Sequence, residues 1–173
     1  MLAYLLLCSC THKELDSKAI YNEKANELLL HVIKENDCDC LLELPKKSII
    51  ASSKEDDPHS DIEKFLIEKL DLKDPSSLDS LIATSQSFTL DTVALKKNKI
   101  KIVTLQNLME VKTKNNDSLL NQCIKGIICL SRPVFDPNYK KAAVDYSFAF
   151  TCLRSSNPAV FEFRDGKWNE SRN

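Results

Sequence analysis

Residues 125–152 read KGIICLSRPVFDPNYKKAAVDYSFAFTC, two apolar runs on either side of a turn. In the second run Val144, Tyr146, Phe148 and Phe150 occupy alternate positions, which places them on one face of a β-strand. Between the runs stand Asp136, Pro137 and Asn138: proline presets φ, and Asx side chains hydrogen-bond their own backbone, so this is a turn. The pattern predicts a hairpin with KGIICLSRPVF as its first strand and AAVDYSFAFTC as its second. Residues 159–168, AVFEFRDGKW, add a third strand that turns tightly at Asp165-Gly166, so that Trp168 folds back over the sheet. The C-terminal third therefore reads as an antiparallel three-stranded meander.

Working back toward the N-terminus, residues 16–36, DSKAIYNEKANELLLHVIKEN, carry the clearest helical period. Ile20, Tyr21, Ala25, Leu28, Leu29, Val32 and Ile33 recur at steps of three and four, with polar residues between them. Asp16 or Ser17 caps the start, and Asn36 with Asp37 ends it. His31, beside the apolar stripe, reads as a partly exposed structural residue. CDCLLELP (38–45) and KKSIIAS (46–52) read as short strands, and a charged loop turns helical at Asp61. Asp56, Asp57, His59 and Asp61 have ligand chemistry, but acidic residues ahead of a helix are favoured by its dipole without any ion. Residues 75–91 hold a short helix or turn, and Lys99 to Ile102 alternate as a half-buried strand after KKNK, which reads as a hairpin turn or edge. The fold class is α+β, an amphipathic N-terminal helix packed on a mostly antiparallel sheet.

With 173 residues and 43% hydrophobic side chains, the chain suits one domain with a real core. Its 24 basic and 25 acidic residues leave a formal charge of −1, which excludes a generic nucleic-acid binder. The charge is unevenly placed, with residues 54–81 acidic and 96–141 basic; the two regions either neutralise one another or leave a basic surface for an acidic partner. Only two glycines occur, which removes glycine-rich phosphate loops. The three histidines all precede residue 60, none beside a serine or cysteine in a catalytic context, so no nucleophile–base set is legible. No cofactor and no catalytic residue are predicted.

The first residues, MLAYLLLCSC, are apolar over far fewer than the roughly 20 residues a membrane-crossing helix needs. Their length suits the apolar region of a secretory signal. Leu7, Cys8, Ser9 and Cys10 resemble the bacterial lipobox, which implies lipidation at Cys10. The organisation expected is a signal segment with lipobox at 1–10, a tether at 11–16 and one globular domain at 17–173. Farther on, Ser131, Arg132, Phe135, Ala143, Val144 and Tyr146, followed by DGKW at 165–168, resemble the C-terminal pattern of small exported bacterial lipoproteins of uncharacterised function. The resemblance covers about the last 50 residues. Together with Thr11 after Cys10, it implies a protein lipid-anchored in the bacterial envelope, at the outer membrane.

Seven cysteines are present, and export would bring them into an oxidising compartment. If the turn at Pro137-Asn138 centres the hairpin, cross-strand partners have numbers adding to about 275, which sets Cys123 beside Cys152 as a disulfide. Cys38 and Cys40 would share a face of a strand, although their one-residue spacing suits neither zinc nor a redox motif. The reading is a non-catalytic binding or structural module, meeting a protein or small molecule, with Arg132, Tyr146 and Trp168 as its surface. The alternatives are a thiol- or metal-dependent protein using Cys38 and Cys40, or a small-ligand pocket between helix and curved sheet, marked by a deep apolar cavity.

Overall fold

The structure, a computed structural model, describes residues 7–114, 118–149 and 158–171. Helix α1 spans Leu7–Glu35. Tyr21, Ala25, Leu28, Leu29, Val32 and Ile33 form its buried stripe, as their spacing requires, whereas Ile20 at the stripe's margin stays 45% exposed. The helix begins ahead of the expected cap at Asp16 or Ser17. No glycine or proline lies between Leu7 and Glu35, so nothing breaks the backbone, and the segment 11–16, expected as a tether, is helical. It ends where expected: Asp37 takes a left-handed φ of 50°, and the Cys38 amide donates to the Ile33 carbonyl at 3.2 Å.

Strand β1 (Cys40–Leu42) follows. The next segment, expected as a strand, is instead the start of α2 (Ile49–Asp56). Ser48 is its N-cap, the hydroxyl accepting from the Ala51 amide at 3.1 Å, and this local bond outweighs the β preference of two adjacent isoleucines. Then come α3 (Ile62–Lys69), α4 (Ser77–Gln86) and α5 (Thr92–Lys97), the last capped by the Asp91 carboxylate on the Ala94 amide. KKNK is thus the end of a helix, turned by Lys99 at φ 60°, and not a hairpin. Beyond it lie β2 (Lys101–Val103), α6 (Leu105–Lys114), α7 (Ser118–Gln122), β3 (Ile127–Leu130), β4 (Val134–Phe135), β5 (Lys141–Val144), β6 (Tyr146–Phe148), β7 (Ala159–Arg164) and β8 (Lys167–Glu170).

These strands form two four-stranded sheets, ordered β2-β1-β3-β6 and β4-β5-β7-β8. The second is antiparallel throughout: β4, β5 and β7 carry the expected three-stranded meander, and the segment of Trp168, expected to fold back over the sheet, joins it as a fourth strand, β8. In the first, β1 runs parallel to both β2 and β3, and β6 runs antiparallel to β3. The hairpin read from residues 125–148 exists close to its expected alignment, with Cys129 opposite Ser147 and Phe135 opposite Ala142. It is bent, however: each long strand is divided between the two sheets. At the bend the Ser131 amide donates to the Asp145 carbonyl, and the Asp145 amide donates to the Ser131 hydroxyl, both at 2.8 Å. Pro133, which has no amide proton, cannot continue the ladder there. Phe150 lies outside the described residues.

Three apolar clusters hold the layers together. The largest joins the α1 stripe to Leu41, Ile128 and Leu130 of the first sheet and to Phe135, Ala142, Val144, Phe161 and Trp168 of the second. Behind the second sheet, Val134 and Ala143 pack under α2, α3 and α4 through Ile49, Ile62, Leu66 and Leu78. Behind the first, Cys40, Val103 and Ile127 pack under α6 and α7 through Leu108, Leu119 and Cys123. One disulfide, Cys40–Cys123, fastens this last layer to the central strand. The expected Cys123–Cys152 bridge is thereby corrected: the α7 turn brings Cys123 against β1, and Cys152 lies outside the described residues.

Candidate functional site

Cys38 and Cys40 do not make a thiol pair. Cys38 packs in the α1 cluster and Cys40 in the α6–α7 cluster, on opposite sides of the sheet, because the bend at Asp37–Asp39 precedes the strand. Cys40 is oxidised with Cys123, and burial, reinforced by Asp39 and Asp37, pushes the Cys38 thiol up toward its inert protonated form. This arrangement does not support the thiol or metal alternative. Among the described residues no group of three or more His, Cys, Asp or Glu side chains is set to hold a metal ion. Asp57 accepts from the His59 amide at 3.0 Å as a local turn, and His31 stands edge-on to Phe161.

Nor do Arg132, Tyr146 and Trp168 form one surface. Trp168 is 2% exposed, wedged between Phe135 and Phe163, where strand β8 returns it into the core. Among the described residues its Nε1 finds no acceptor. Tyr146 is half-buried, with its hydroxyl 3.5 Å from Glu170; burial first and then that carboxylate raise its phenol. Arg132 is committed to the backbone: its Nε donates to the Pro45 carbonyl at 3.2 Å and a terminal nitrogen to the Gln86 carbonyl. It stitches the loop after β1 to the end of α4.

That loop bounds a groove of about 550 Å³. The groove lies past the carboxyl ends of β1 and β3, between α2 and the start of α6. Buried Ile49 and Leu130 lie at its base, Leu42 and Leu44 on its wall, and exposed Leu105 at its mouth. Hydroxyls of Ser52, Ser131 and Ser147 punctuate this lining, and Glu43, Lys46 and Asp145 carry its charges. The Glu43 carboxylate accepts from the Leu105 amide at 2.9 Å, so it is already turned onto the N-terminus of α6. Lys46 is exposed and makes no ion pair among the described residues.

The position follows from topology. The chain leaves β1 toward β2 on one side, whereas the chain leaving β3 passes through the second sheet and returns as β6 on the other, so the connections from the carboxyl ends of β1 and β3 diverge. In parallel sheets, crevices outside the carboxyl ends at such a switch are where ligands bind. The volume also lies in the range of small-molecule sites, roughly 300–1,000 Å³. The sequence reading missed this groove because it took 46–52 as a strand and did not see β1 and β2 as parallel. The signal available was two short strands separated by some 60 residues of helical sequence, which forces a crossover connection.

The basic segment is partly neutralised: Lys141 pairs with Asp71 and lies 3.7 Å from Glu162, and Lys125 pairs with Asp37 at 2.6 Å. Lys96, Lys97 and Lys99 stay exposed. No protein-family model matches the chain, and no curated protein or solved structure shows significant similarity to it.

Proposed function

We propose that this chain is a lipid-anchored bacterial envelope protein, held at the outer membrane through Cys10, that binds a small and largely apolar ligand without transforming it. The groove past β1 and β3 carries the reading: its walls are mostly hydrocarbon, it sits at the switch point, and no histidine lines it to serve a nucleophile. The anchor rests on the Leu7–Cys10 likeness to a lipobox. A disulfide between Cys40 and Cys123 fits an oxidising compartment. Nucleic acid is not among the partners, given the balanced charge.

Two measurements test this. Intact mass of the membrane-fraction protein is expected to give a chain beginning at Cys10 with acyl groups, lost in Cys10→Ala; an unmodified soluble chain would remove the anchor from the reading. The environment-sensitive dye 8-anilinonaphthalene-1-sulfonate is expected to bind the native chain at one saturable site and to be excluded by Ser147→Trp, which fills the groove. Unchanged dye binding in that variant, with its fold intact, would remove the groove.

A further inference from the structure

The groove and the N-terminal end of α1 lie at the same pole of the molecule. At the opposite pole, the Asn36–Asp39 turn folds the chain straight back from α1 into β1, and the Cys40 amide bonds the Gly126 carbonyl ahead of β3. Helix α1 therefore runs antiparallel to β1 and β3, and its N-terminal direction is the direction of their carboxyl ends. Contacts confirm the alignment. The Tyr21 hydroxyl donates to the Pro133 carbonyl at 2.7 Å, and neighbouring Arg132 holds Pro45 on the groove wall. From Tyr21, α1 continues outward through Leu7; at about 1.5 Å per residue the backbone of Cys10 stands about 16 Å farther along the axis.

We infer that the groove opens toward the bilayer and takes up an acyl chain of an anionic membrane phospholipid, with Lys46 at the mouth meeting the headgroup. The inference rests on the anchored reading above, which fixes the pole that meets the membrane. Pro45, Lys46 and Leu105, all exposed, line the groove at this pole, two apolar side chains beside one cation, a pairing that suits a membrane interface. Ile49, Leu42, Leu44 and Leu130 offer the hydrocarbon lining. The charges sort by depth: half-buried Asp145 lies inside, and Glu43 is turned onto α6, so the cation at the opening is the one placed for an anion. A headgroup there would neutralise Lys46 while the chain lies against the leucines.

The test uses the full chain mixed with vesicles carrying phosphatidylglycerol or phosphatidylcholine with a photoreactive acyl chain, followed by irradiation and mapping of the labelled peptides. Labelling is expected on the peptides holding Leu42, Leu44 and Leu105, from phosphatidylglycerol in preference to phosphatidylcholine. Ser52→Trp, which obstructs the groove from α2, should reduce it about tenfold, and Lys46→Glu should abolish the headgroup preference. Circular dichroism confirms that Ser52→Trp folds, and Lys46→Glu lies on an exposed loop. Labels scattered outside the groove, equal labelling in Ser52→Trp, or a headgroup preference unmoved by Lys46→Glu would each overturn the inference. Cys10→Ala separates the two readings: groove labelling that persists without the anchor supports the lipid site, whereas dye bound in the groove with no lipid label overturns this inference and leaves the binding reading standing.

Discussion

Tyr21 joins the long helix to the bent hairpin. Its hydroxyl donates to Pro133, and its ring meets Phe88 and Phe135 edge-on at 6.1 and 5.5 Å. Burial pushes its phenol far above the ordinary 10.0, against a small opposing pull from Arg132. The folded state therefore holds a proton that the unfolded chain releases, so the stability this group contributes is intact below about pH 10 and declines above it. Tyr21→Phe should cost about 1–3 kcal/mol at neutral pH by orphaning the Pro133 carbonyl. Urea titrations at neutral and alkaline pH should also show a shallower alkaline loss in the variant, though not a flat one, because Tyr146 is raised as well. An alkaline slope equal to that of the parent would assign the effect elsewhere. Single residues were legible in the sequence when their surroundings were local. His31 was placed correctly at the stripe's margin, and Asp136 lies in the expected turn, accepting from the amides of Asn138, Lys140 and Lys141. The roles of Arg132 and Trp168 depended on partners far away in sequence, and those could not be read.

Periodicity revealed the elements with many turns or clean alternation and failed on the short ones. The α1 stripe spans several helical turns, and the Asp165-Gly166 turn, with both residues at positive φ, is the hairpin geometry that this dipeptide favours. By contrast, Ile49 and Ile50 are too few to establish any period, and the deciding atom is the Ser48 hydroxyl. Ser48→Ala should remove about 1 kcal/mol of stability and raise amide exchange across the first turn of α2, which forms one side of the groove. Unaltered exchange would mean that packing of Ile49 on Val134 and Ala143, rather than the cap, sets this helix. The groove itself escaped the sequence reading because it is made by strand order, which no single segment encodes.

For the molecule as a whole, the class was legible: α+β, helix first and meander last. Cysteine pairing was not, because the hairpin alignment says nothing about α7, whose position against β1 decides it. The Cys40–Cys123 bridge has a sequence separation of 83, and a loop of that size is worth about 2–5 kcal/mol on chain entropy. Its reduction should lower the denaturation midpoint accordingly, and hydrogen exchange should rise first in α6 and α7, whose cluster is the smaller of those flanking the first sheet. Uniform loss of protection would show that this layer is not separately held. The same bond has a mechanical consequence. A pull on the N-terminal end of α1 loads the Tyr21–Ile33 stripe in shear, so its contacts must yield together instead of peeling one by one. Force that passes the Asp37 turn reaches β1, and the sulfur bridge carries it directly to α7 and on toward β3. Asn22 and Asn26 of α1 also hold the backbone of Thr89 and Asp91, so part of the load passes sideways into the segment joining α4 to α5 before it reaches the Asp37 turn.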